Sequence, residues 1–136
     1  MNPKQFLTIG GSVLVLVGIL GFVGIIGPTA AKSLFGSTWW FDNGENWAHL
    51  ILGVVGLIAA FTFPASAQKP LVMLLGLLAL FFAIYNIFSM KFLGTNLESP
   101  ADLILHAVVG IWALASSMMG KKGMGMPCGA SPKPMM

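Results

Sequence analysis

Four long apolar stretches without a charged residue, at about 6–27, 47–63, 71–90 and 103–119, govern what this chain can fold into. A helix rises ~1.5 Å per residue and the hydrocarbon core of a bilayer is ~30 Å thick, so each stretch is of a length to cross it, the second and fourth being the shortest. Lipid offers the backbone no hydrogen bonds, and a segment of this kind can satisfy its own amides only as a helix. The first run holds about twenty-two residues. That exceeds the apolar core of a secretory signal, and the segment is expected to remain as a membrane span.

Only 8% of the 136 residues are charged and 57% are hydrophobic. A soluble domain carries about 25% charge, so a water-soluble fold is not expected. The expectation is an all-α membrane protein: one four-helix domain over 1–119 and a flexible tail over 120–136, where Gly, Pro, Met and Lys replace any apolar period. The net charge of +3 comes from lysines that are scattered except at Lys121-Lys122, which leaves no patch for nucleic acid. That pair reads as an anchor beside anionic lipid. With Cys128 as the single cysteine, no disulfide can form within the chain. Met124, Met126, Cys128, Met135 and Met136 could offer sulfur to copper(I), against the plainer reading of a low-complexity tail.

Charge also orients the spans. In a four-pass arrangement Lys4, Lys69, Lys121, Lys122 and Lys133 fall on one side, while Lys32, Lys91 and the acids Asp42, Glu45, Glu98 and Asp102 fall on the other. The positive-inside rule then places both termini in the cytoplasm of a bacterial cell membrane. Trp39, Trp40, Phe41 and Trp47 suit an aromatic belt at the outer interface, with 32–41 along the membrane surface. The inner turn, Pro64 to Pro70, is short, which makes the second and third helices antiparallel neighbours.

Small residues let helices approach closely where dispersion is the packing force. Gly18, Gly21 and Gly24, continued by Gly27, mark such a stripe on the first span, and Gly53 and Gly56 mark one on the second.

The second and fourth spans open alike. Asp42-x-x-Glu45-x-x-x-His49-x-x-x-Gly53 aligns with Ser99-x-x-Asp102-x-x-x-His106-x-x-x-Gly110, the signature of two helical hairpins in parallel repeat. Asp42 and Ser99 have N-cap chemistry, and Glu45 and Asp102 fall where a capping box places its acid. Each histidine lies four residues beyond an acid, on the same helix face and ~6 Å deeper. The third span brings Tyr85 and Asn86 to the same level, so a polar cluster of Glu45, Asn46, His49, Tyr85, Asn86, Asp102 and His106 is expected near the outer mouth. Three readings stay open for it. It is a network locking the two hairpins, a haem or transition-metal site with His49 and His106 as ligands, or a cavity handling protons or a small solute.

Asn46-x-x-His49-Leu50-x-Leu52-Gly53 together with Asp102-x-x-x-His106 resembles a family of small bacterial four-helix membrane proteins known only as a domain of unknown function. The resemblance covers the chain apart from its tail and implies architecture rather than a reaction. Members often carry Asn after the acid in both copies, whereas Leu103 stands there in the second, which makes Glu45, Asn46 and His49 the stronger candidate site.

No nucleophile and base are paired anywhere, so no catalytic residue is assigned. The expectation is a non-enzymatic accessory or binding subunit, without a cofactor, whose partners are the bilayer and other membrane subunits or further copies of itself. The alternatives are a haem- or metal-binding redox protein and a small-solute or proton-handling protein. Below the histidines few polar residues occur before Thr62 and Ser116, which argues against a continuous proton path.

Overall fold

The computed structural model describes the backbone of residues 1–130 and the side chains of residues 1–119, so the copper(I) and lipid-anchor readings rest on side chains outside the described part, while residues 120–130, expected as part of a flexible tail, continue the last helix. Four helices, α1 (Pro3–Phe22), α2 (Asn43–Thr62), α3 (Ala65–Phe88) and α4 (Ala101–Ala130), are joined by a long loop at the end of the bundle expected to be outer, a short turn at the opposite, inner end and a small β-hairpin of β1 (Lys91–Phe92) with β2 (Thr95–Asn96) at the same end as the loop. All four are long and apolar enough to cross a membrane, α4 over its first stretch Ala101–Met119. Large apolar side chains such as Leu16, Ile51, Leu74, Ile84 and Ile111 are exposed along the outside, as lipid-facing residues should be.

Local chemistry sets the helix ends. Asn2 caps α1, exchanging hydrogen bonds with Gln5 in a capping box ahead of Pro3. The helix stops at Phe22 because Gly24 takes a φ of +89°. The amides of Ile25 and Ile26 both turn back to the carbonyl of Leu20. Gly24 is therefore a turn residue rather than a packing residue, and a methyl added there would touch nothing closer than 3.9 Å. Asp42 caps α2 through the expected reciprocal box with Glu45.

The inner turn is shorter than the sequence indicates. Pro64 caps α3, which starts at Ala65 and carries Pro70 in its second turn, at the loss of one backbone hydrogen bond. Gln68 supplies what holds this corner together. Its buried amide donates to the carbonyls of Ala59 (3.2 Å), Ala60 (3.0 Å) and Phe63 (3.1 Å), the loose end of α2.

Two hairpins make the bundle. α1 packs closely on α2 and α3 on α4, whereas α1 meets α3 and α4 only in places. α2 and α3 do not pack side by side, contrary to the expectation from their short connection, because each is committed to its own partner. Glycine explains that commitment. A methyl on Gly53 would lie 2.7 Å from the carbonyl oxygen of Gly11, and one on Gly110 would lie 3.0 Å from that of Gly76. Each hairpin thus closes on a glycine pair, with the repeat-equivalent Gly53 and Gly110 contributed by its second helix. Gly18 and Gly21 continue the first seam against Leu50 and Asn46, and Gly56 lies on it with ordinary van der Waals spacing.

Candidate functional site

A cavity of about 380 Å³ separates the two hairpins, within the range of ligand pockets. All four helices wall it. From Gly44 to Gly56 it follows α2 through twelve residue steps, or about 18 Å. Leu14, Leu52, Leu75 and Leu78 are typical of its walls. At the inner end the ring of Trp112 packs edge-on against Phe6 at 4.5 Å, and its indole N–H points at Met1 Sδ, 3.1 Å away. Polar side chains gather at the outer end, where Glu45, His49, Thr95 and His106 line the space.

The two histidines are held alike, and not as expected. Each ring bonds through Nδ1 to the backbone carbonyl four residues earlier, His49 to Glu45 and His106 to Asp102, both at 2.8 Å. The acid side chains are not the partners. A carbonyl oxygen can only accept, so Nδ1 carries the hydrogen in both rings, and in the neutral imidazole Nε2 is left with a bare lone pair. Aromatic rings fix the planes. Phe41 stacks on His49 at 4.7 Å and 13°, and Phe82 lies 5.7 Å from His106 at 38°.

Glu45 is only 5% exposed. Its Oε2 accepts from the amide of Asp42 at 3.3 Å, while Oε1 is buried without a partner. Asn46, its neighbour, is fully buried but faces the other way, and a methyl on Gly21 would collide with its amide oxygen. It belongs to the seam between α1 and α2, and neither of its side-chain polar atoms is hydrogen-bonded.

The remaining members of the expected cluster hold the loops. Tyr85 donates its hydroxyl to the carbonyl of Lys91 at 3.0 Å, and Asn86 donates to that of Leu97 at 3.0 Å, so α3 grips both sides of the β-hairpin. Asp102 does not form a second capping box with Ser99, because α4 begins at Ala101. Its carboxylate accepts instead from the amide of Glu98 at 2.6 Å and from the indole of Trp39 at 3.0 Å. The converse bond runs from the amide of Asn96 to Asp42 at 2.7 Å. An aspartate at the head of each hairpin's second helix is therefore tied to the other hairpin's outer loop.

That cap was hidden in the sequence. The β-hairpin turns at Leu93-Gly94 with φ of +51° and +87°, as a type I′ turn requires, and leucine is an unusual residue for the first of these. Thr95 then lies against Gly44 at the head of α2. Segment 32–41 folds back on the bundle, with Ser33 bonded to the carbonyl of Trp39 at 2.7 Å and Phe41 buried. Trp39 and Phe41, read in the sequence as interfacial aromatics, serve the cap and the His49 ring.

Among the described residues no group of three or more His, Cys, Asp or Glu side chains is disposed to hold a metal ion. No family model, curated protein or solved structure matches this chain.

Proposed function

We propose that this protein is a non-enzymatic binding subunit of a bacterial cytoplasmic membrane, with both termini inside, that holds a small amphipathic molecule between its hairpins as part of a larger membrane assembly. The observation that carries this reading is the uneven polarity of the cavity: apolar walls over most of its length, with Glu45, His49 and His106 together at one end. Such a chamber matches a ligand with an apolar body and one polar head. The lysine distribution supports the orientation, and the large apolar side chains exposed on the outside of all four helices offer faces to neighbouring subunits.

An uncharged naphthalene fluorophore tests the binding reading. With Trp112 retained as the sole tryptophan, energy transfer to the dye should saturate at one dye per chain. Ala79→Phe, which puts a bulky ring into the space that Ala79 lines, should abolish it. Unsaturable transfer that ignores Ala79→Phe sinks the proposal. Cross-linking in native membranes tests the assembly, and a chain that captures no neighbour there is not a subunit.

A second reading takes the two free Nε2 atoms as ligands of a haem iron or a transition-metal ion. An absorption spectrum decides it. A Soret band lost in His49→Ala or His106→Ala supports haem, and a colourless, metal-free preparation removes the idea.

A further inference from the structure

We infer that the chamber selects molecules whose head donates hydrogen bonds, a hydroxyl or an amine on an apolar body, and rejects anionic heads. This rests on the binding reading above and adds the chemistry of the ligand.

The polar end of the cavity is a set of acceptors. Both histidines spend their Nδ1 hydrogens on carbonyls of their own helices, which turns two bare Nε2 lone pairs over to whatever lies beside them. Glu45 also lines the cavity, with Oε1 buried and unpartnered. Thr95 offers no free donor, because its hydroxyl is committed to the carbonyl of Phe92 at 2.6 Å. No lysine lines the space. The buried Asn46 amide, a donor that could have balanced the set, is turned into the α1–α2 seam against Gly21.

An imidazole lone pair without a partner inside an apolar chamber is costly, and a head bearing O–H or N–H removes that cost. A carboxylate or phosphate would instead set further acceptors against the two Nε2 lone pairs and bring an uncompensated charge into a poorly screened site that no lysine lines. Sites built around hydrogen-bonding groups discriminate strongly on this basis, whereas apolar walls barely do. The head therefore decides which molecules enter, and the apolar walls hold the body of those that do.

The geometry supplies a reporter. Trp112 lies six residues beyond His106 on α4, about 9 Å deeper, so a ligand with its head at the histidines puts its tail beside the indole. Three ω-brominated chains of equal length are titrated into the Trp112-only protein in detergent: an alkanol, the corresponding primary amine and the corresponding carboxylate. The unsubstituted bromoalkane is the reference. Bromine quenches tryptophan only at contact. The alcohol and the amine should half-saturate the quenching at concentrations at least tenfold below the bromoalkane, equivalent to about 1.4 kcal/mol, and the carboxylate should show no such advantage. His49→Phe with His106→Phe should bring the alcohol to the level of the bromoalkane.

Equal binding of carboxylate and alcohol overturns the inference, as does a preference that survives the double substitution. Should the double variant not assemble, the head-group series on the unsubstituted histidines decides alone. Quenching by every chain without selectivity refutes the donor rule and leaves the cavity reading standing, whereas no saturable quenching by any chain refutes the cavity reading itself.

Discussion

Gly53 and Gly56 lie one turn apart on α2, both buried against α1, and alanine should affect them in opposite directions. A methyl on Gly53 would stand 2.7 Å from the carbonyl oxygen of Gly11, 2.7 Å from the amide nitrogen of Val15 and 2.8 Å from Val15 Cγ2. Two of these atoms are backbone, and no rotamer change moves them. The helices would have to part by more than half an ångström, loosening the dispersion contacts along the whole seam. Overpacking of this kind costs about 1–3 kcal/mol, while the gain in helix propensity on replacing glycine returns at most ~1 kcal/mol. At Gly56 the nearest atoms, Gly11 Cα and the carbonyl oxygen of Leu7, are both 3.7 Å away, and the methyl fits without displacement. Gly53→Ala should therefore lose about 1–2 kcal/mol and Gly56→Ala should lose nothing or gain up to ~1 kcal/mol. Unfolding in mixed micelles of sodium dodecyl sulfate and a mild detergent, followed by circular dichroism, measures both. A Gly53→Ala protein as resistant as the parent, or two variants equally weakened, would refute the account of the seam.

Two further substitutions probe the corners in the same titration. Gln68→Met keeps the volume but deprives the carbonyls of Ala60 and Phe63 of the Gln68 donor and leaves that of Ala59 only the amide of Phe63, and should cost about 1–3 kcal/mol; an unchanged midpoint means the turn is held by other means. Leu93→Asn places a residue that tolerates left-handed backbone at the +51° position of an exposed turn, and should gain about 1 kcal/mol, so a loss contradicts the strain assigned there.

The spans could be read from the sequence because lipid imposes one simple rule, an uncharged run of sufficient length, and all four obey it. Their ends could not, because apolar residues and prolines also serve turns. Residues 23–27 continue the first apolar run yet leave the helix at Gly24, and Ala65–Pro70 looks like a loop yet winds as the start of α3. The repeat brought His49 and His106 to one level, since spacing from the helix start fixes depth. It did not show which way their neighbours face. Asn46 adjoins Glu45 in the sequence but sits about 100° around the helix, which takes it out of the cavity and into the seam. Asp102 looked like a capping residue, and its actual partners, Trp39 and Glu98, depend on how a loop from the other hairpin folds. Gly11 and Gly76 stand outside the glycine stripes that the sequence spacing picks out, because a close approach needs a partner that spacing on one helix does not name.

The glycine seams leave each half of the molecule cohesive by itself, with α1 bound to α2 and α3 to α4 far more intimately than either pair is to the other. Such a body is soft along one plane only. Because the Asp102–Trp39 and Asp42–Asn96 bonds pin the halves together at the histidine end, a guest of greater girth is accommodated by a small tilt of two rigid paddles about that pinned end rather than by melting of the helices.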